Sequence, residues 1–243
     1  MTRLRAVVTG GGSRTGAAVA TELARHGFDL VLTCRHGRAG AEAVAEEVRQ
    51  HGAVVEVHDL DLEDASAIKA FAKAIGPGAV DALVHVAGSF EEGRFEDIDD
   101  AMFQRHYRAN ASGPALLTQA LEERLRSSAQ PDGACVLFFG DIHAEQSPRP
   151  GATAYLVSKA ATHALVRLLA IELAPVRVVG VAPGVIGWPD DWTEDQRSAY
   201  LRRVPLGRAG TPSDAAKLVK GLIQNATYLT GVMLPLDGGR HLR

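Results

Sequence analysis

A chain of 243 residues that is 46% hydrophobic and 23% charged, with a formal net charge of −3, has the composition of a soluble globular protein. That balance excludes a disordered or membrane-spanning chain and argues against nucleic acid, which calls for a basic face. The two cysteines, Cys34 and Cys135, show neither a Cys-x-x-Cys nor a metal-ligand spacing, so a disulfide framework and a metal site have no support.

A reducing compartment fits this cysteine usage, and an apolar strand begins almost directly after Met1 without a secretory pattern, so the expected location is cytoplasmic. In chain order, a strand is predicted over 6–8, a helix over 17–26, a strand over 30–32 and a helix over 39–50. The alternation continues with a strand at 54–57, a helix from about residue 65 and a strand at 82–86. A long helix crossing Asn110, a strand at 135–139 and a helix carrying Tyr155 come next. Strand 178–181, a helix at 214–223 and strand 232–236 complete the series. Strands written as continuous apolar runs are those of a parallel sheet covered on both faces. The expectation is an α/β fold: one Rossmann-type domain over 1–243, a doubly wound parallel sheet with helices on both faces. The densest turn-forming clusters, 146–151 and 183–189, follow strands, where active-site loops belong.

The run Thr9-Gly10-Gly11-Gly12-Ser13-Arg14-Thr15-Gly16 joins the first strand to the first helix. It puts small residues and backbone N–H groups where cofactor phosphates could approach. An acidic residue at the end of the second strand would bind the ribose 2′-hydroxyl of NAD, but the chain reads Cys34-Arg35-His36 there. Arg14 and Arg35 could pair with a 2′-phosphate, so NADPH is the expected cofactor.

In Thr153-Ala154-Tyr155-Leu156-Val157-Ser158-Lys159, tyrosine and lysine lie one helical turn apart and share a face. A phenol with a pKa near ~10 is a poor proton donor at neutral pH unless a cation stabilises its phenolate. Lys159 can supply that cation.

The glycine turn, Asn110, Tyr155-x-x-x-Lys159 and Pro183-Gly184 stand in the order seen in the short-chain dehydrogenases/reductases, which the chain resembles over essentially its whole length. The resemblance implies a nicotinamide cofactor, Tyr155 as general acid, Lys159 on the nicotinamide ribose lowering the tyrosine pKa, and Asn110 supporting a relay water. It also implies cofactor contacts along Gly10, Ser13, Arg14, Thr15, Gly16, Arg35, His36, Asp61, Leu62, Ala87, Gly88, Pro183 and Gly184, and a homotetramer.

Within that family the usual serine ahead of the tyrosine is replaced in Asp141-Ile142-His143-Ala144-Glu145. Asp141, Arg14, Phe90 and the segment Pro183-Gly184-Val185-Ile186-Gly187-Trp188-Pro189 are similar to those of pteridine reductases, and the ending Leu236-Asp237-Gly238-Gly239-Arg240-His241-Leu242-Arg243 resembles that of the bacterial dihydromonapterin reductases. That resemblance implies reduction of a dihydropterin, or of dihydrofolate, with Arg14, Phe90, Asp141, Tyr155 and Trp188 at the substrate. A flat pterin could stack on Phe90. Two features depart from the pattern: His85-Val86 stand where the family has asparagines, and the interval from Asp141 to Tyr155 is one residue longer. The alternatives are a carbonyl reductase acting on another ketone or acyl substrate and a non-catalytic NADP-binding regulator.

Overall fold

The computed structural model describes residues 3–243. The strands are β1 (Leu4–Thr9), β2 (Phe28–Cys34), β3 (Val55–Asp59), β4 (Ala82–His85), β5 (Cys135–Phe139), β6 (Arg177–Pro183) and β7 (Val232–Leu236). They pair in parallel as one sheet in the order β3-β2-β1-β4-β5-β6-β7. Each strand is apolar at consecutive positions because both of its faces are covered. In β1, Ala6 and Val8 enter one core layer and Val7 the other. The first layer is closed by α1 (Arg14–Arg25), α2 (Arg38–Arg49) and, late in the chain, α9 (Pro212–Gln224). On the other face lie α3 (Ala65–Ala74), α5 (Gly113–Ala120), α6 (Glu122–Arg126) and α7 (Thr153–Glu172).

Strand order reverses at β1, so β1 and β4 part company at their carboxyl ends and open a crevice there, the place where ligands bind in open α/β sheets. Thr9 stands in register with Thr33 on one side and His85 on the other, so the loops after β1, β2 and β4 share one rim.

Two elements differ from the sequence expectation. The helix expected to run through Asn110 is α4 (Asp100–Tyr107) and α5 joined by a π-helical turn, Arg108–Ser112. The second is α8 (Glu194–Leu201), which the hydrophobic period did not announce because Tyr200 is its one buried residue. Its signal is a capping box, in which Thr193 accepts from the Gln196 backbone and Gln196 returns the bond. Val54, expected at the start of the third strand, lies outside β3 and is 66% exposed.

Candidate active site

The glycine turn is built for close approach. Gly10 has φ 68°, and a Cβ on Gly16 would lie 2.1 Å from the Gly10 carbonyl oxygen, which no side chain could relieve. Ser13 caps α1 by accepting from Gly16 N at 3.1 Å, so the helix N-terminus opens onto the crevice. Beside it a groove is lined by Gly10, Cys34, Arg35, Asp61, Leu62, Ala87 and Gly88 among others. A dinucleotide fits this donor set: free backbone N–H groups and a helix terminus for phosphates, and an apolar slot for a base.

At the groove mouth the arginines are already engaged. Arg35 pairs with Glu63 and lies 3.8 Å from Asp61. Arg14 donates to the Trp188 carbonyl at 2.9 Å and lies 3.9 Å from Asp190, tying the glycine turn to the loop after β6. To pair with a 2′-phosphate Arg35 must exchange Glu63 for it, and Arg14 must do so while tied to the loop after β6. His36 is exposed and Thr15 half-buried at the start of α1.

Between β5 and α7 the polar groups converge. Tyr155 Oη donates to Asp141 Oδ2 at 2.9 Å, so the longer interval between them does not separate them. The intervening loop bends at Ser147, φ 50°, and Gly151, φ 80°. The other Asp141 oxygen accepts from His143 N at 2.8 Å, and His143 Nδ1 meets the Ser147 carbonyl at 2.7 Å, leaving that histidine a loop residue. Burial, and after it the Asp141 carboxylate, raise the Tyr155 phenol well above its usual range. Lys159 Nζ, buried and donating to the Phe139 carbonyl at 2.8 Å, is pulled down by that burial to about 8. Of the charges acting on the phenol, the Arg149 guanidinium lowers it, while the Lys159 ammonium stands 5.8 Å from the ring centre.

Asn110 sits in the π-helical turn. Its Oδ1 accepts from Ser89 N at 2.8 Å, while Nδ2 donates to the Ser89 carbonyl and to Ser158 Oγ. Its own carbonyl, freed from regular helix pairing, accepts from Thr162 at 2.9 Å. Asn110 therefore locks the loop after β4 onto α7. His85 has a structural place: stacked on Phe138 and held by Thr118 at 2.9 Å, it is kept neutral by burial, which takes its pKa to about 3.

A cleft of about 630 Å³ opens beside Asp141, lined by Phe90, His143, Pro183, Gly184, Trp192 and Tyr200 with several arginines. Phe90, 55% exposed, meets the Tyr155 ring edge-on at 4.8 Å, under the Arg149 guanidinium. Trp188, expected at the substrate, packs instead on Trp192 and Tyr200 beneath Arg197, and Trp192 takes the lining position.

Residues 13–241 match the family model described as enoyl-(acyl carrier protein) reductase, one of the short-chain dehydrogenase models. The chain is 33% identical to galactitol 2-dehydrogenase of Rhizobium johnstonii, over 97% of this chain and 94% of the relative. It is 32% identical to L-rhamnose 1-dehydrogenase (NAD(P)(+)) of Azotobacter vinelandii, over 96% of this chain and 94% of that protein. The chain is a short-chain dehydrogenase/reductase. It superposes on the short-chain dehydrogenase/reductase from Serratia marcescens with a TM-score of 0.90, at 29% identity and 99% coverage of both chains.

As a short-chain dehydrogenase/reductase it uses a nicotinamide cofactor and takes a small-molecule substrate. These two relatives carry polyol and sugar dehydrogenase names, so the narrower likeness to pteridine reductases rests on Asp141, Phe90 and the loop residues. Sequence reasoning missed Tyr200, whose hydroxyl accepts from Val185 N at 2.9 Å and fixes the loop after Gly184. The capping box that announces α8 was its available signal. It also missed His163, buried behind Gly140 and accepting from Asp141 N at 3.3 Å, one turn beyond Lys159 on the same helix face.

Proposed function

We propose that this short-chain dehydrogenase/reductase reduces the carbonyl group of a small polar compound with NADPH, and reoxidises the corresponding alcohol. The observation that carries the reading is the 2.9 Å Tyr155–Asp141 hydrogen bond, set beside a buried lysine, with Asp141 on the lining of the cleft. In this reading the cofactor supplies the hydride. Tyr155, held as a neutral phenol, gives its proton to the developing alkoxide. Asp141 accepts the phenolic hydrogen bond in the resting site and orients it. Lys159 holds positive charge beneath the phenolate as it forms, and Asn110 keeps the floor of the site rigid. The names of the polyol and sugar dehydrogenase relatives support a hydroxyl-bearing substrate. NADPH is favoured by the absence of a carboxylate at the end of β2, where Arg35 stands at the groove mouth. A homotetramer is proposed on the family resemblance.

A second reading, reduction of a dihydropterin, is favoured by Asp141 in place of serine and by the exposed Phe90 ring over the cleft. Assays following loss of reduced cofactor with a diketone, a ketose and dihydrobiopterin separate the two. Turnover of the carbonyl compounds alone supports the first reading, and turnover of the pterin alone replaces it. Tyr155→Phe should lower the single-turnover rate by about 10²–10⁴-fold, the range of general acid catalysis, with cofactor affinity kept. Full retention of rate would remove Tyr155 from the proposed chemistry.

A further inference from the structure

Asp141 stands just past the end of β5, where pairing with β6 runs out. Gly140 N still donates to the Val181 carbonyl at 2.7 Å, but Asp141 N donates instead to a side chain, His163 Nε2, at 3.3 Å. His163 comes from α7, one turn after Lys159 and two after Tyr155, and is 2% exposed. Its ring reaches the strand end because residue 140 is a glycine: a Cβ there would lie 2.3 Å from Nε2 and 2.7 Å from Cδ2. Burying an imidazole costs desolvation that an apolar side chain in the same gap would avoid, so the hydrogen bond is what the ring contributes.

That bond also fixes where the ring carries its proton. To accept from Asp141 N, Nε2 must be bare, so the proton of the neutral imidazole sits on Nδ1. Nδ1 lies 3.2 Å from Glu145 Oε1, off the axis of a regular hydrogen bond but in charge contact, and Glu145 is itself held by Arg167 at 3.4 Å. The charged groups around the ring are thus Glu145, backed by Arg167, together with Asp141 and Lys159. Burial, the largest influence on the imidazole, lowers its pKa and keeps it neutral at neutral pH.

We propose that His163 is a positioning residue: by holding the Asp141 amide it aims the Asp141 carboxylate at the Tyr155 hydroxyl, with Glu145 selecting the ring tautomer that can do so. The path is short, from His163 Nε2 to Asp141 N at 3.3 Å and from Asp141 Oδ2 to Tyr155 Oη at 2.9 Å. The other Asp141 oxygen caps the turn Ile142–Ala144 through His143 N, so a swing of the backbone at residue 141 would take the carboxylate off the phenol while the cap survives. The phenol would then lose one of the influences that hold it protonated. This deepens the oxidoreductase reading and rests on it for the role of Tyr155.

Two readouts on the full-length holoprotein test this. One is the single-turnover rate with whichever of the diketone, the ketose and dihydrobiopterin is reduced. The other needs no turnover: the alkaline titration of the Tyr155 ring-carbon NMR signal, assigned by its loss in Tyr155→Phe. His163→Leu should slow the rate by about 10–10²-fold, the cost of misplacing a group at the chemistry, with KM little changed. It should also start the Tyr155 titration at lower pH. His163→Gln, whose amide oxygen can accept from Asp141 N, should restore both. In the Asp141→Asn background His163→Leu should cost nothing further, because the carboxylate it aims is gone. Glu145→Lys, at a half-exposed position, sets a cation against Nδ1, favours the proton on Nε2 and should shift both readouts in the same direction as His163→Leu. That variant keeps the test decisive if the buried change prevents folding. Parent behaviour in the folded variants, His163→Gln as slow as His163→Leu, or an equal loss in the Asp141→Asn background would overturn the proposal. If the parent reduces none of the three compounds, the substrate reading fails, while the Tyr155 titration still decides whether His163 acts through Asp141.

Discussion

At the scale of single residues, the pair Tyr155 and Asp141 sets the pH behaviour. A phenol raised by burial and by a neighbouring carboxylate stays protonated through neutral pH, which suits reduction, while alcohol oxidation needs the phenolate and should rise only at alkaline pH. In Asp141→Asn one of the raising influences is gone, so the alkaline limb of the oxidation profile should move to lower pH. An unmoved limb in kcat/KM would place the limiting ionisation elsewhere. Lys159 gives a stability prediction of opposite sense to a paired lysine. Burial lowers its folded pKa to about 8 from an ordinary 10.5, so between those values the unfolded chain binds more protons and stability rises with pH. Relative to Lys159→Met, the parent protein should gain up to about 3 kcal/mol between pH 8 and 10.5, read from denaturant melts at both ends. Tyr155, Lys159 and the glycine turn were legible in the sequence because their geometry is local: one helical turn, one strand-to-helix bend. The tie from Arg14 to the Trp188 carbonyl was not legible because the two lie 174 residues apart and no spacing encodes it. Nor was the pairing of Arg35 with Glu63, which reaches it from the loop after a different strand.

Among elements, the π-helical turn at Arg108–Ser112 matters most, since it aims Asn110 and docks against the cofactor groove. Gly113, directly after it, allows the close approach: a Cβ there would fall 2.1 Å from the Leu62 carbonyl oxygen and 2.7 Å from that of Arg108. Gly113→Ala should cost about 1–3 kcal/mol or more, the scale of overpacking against backbone, and should weaken cofactor binding through Leu62. Gly221→Ala, in α9 with open space around it, should instead stabilise by up to about 1 kcal/mol. Thermal melts of the two variants test the contrast, and equal shifts would refute it. Sequence period predicted the helix through Asn110 but not its interruption, because one extra residue in a turn leaves the apolar pattern on either side almost unchanged. It passed over α8 for a related reason: a helix lying on the rim over one buried tyrosine has little apolar stripe to announce it.

For the whole molecule, the parallel sheet covered on both faces was readable from the apolar runs, since burial on both faces leaves no polar alternation to confuse them, whereas the order of its strands was not. Association leaves a weaker trace. Phe103, Tyr107, Leu116, Leu168 and Ile171 are exposed on α4, α5 and α7, with Ile171 79% accessible. Isolated exposed apolar residues are common, but several on neighbouring helices mark a contact surface. If the proposed homotetramer forms through them, Leu168→Glu with Ile171→Glu should reduce the sedimenting mass while leaving the fold intact; a monomeric parent would refute it. The loop after β6 has a further consequence for the integrity of the molecule. Asp190 stands fully exposed at its tip, whereas β7, beyond the loop in sequence, is bonded along its length to β6, before it. A protease that nicks the backbone at Asp190–Asp191 would therefore leave two fragments clasped by the β6–β7 ladder and by α9 packed in the core. The nicked molecule should then run as one species in native size-exclusion chromatography, and separation of its fragments there would refute this.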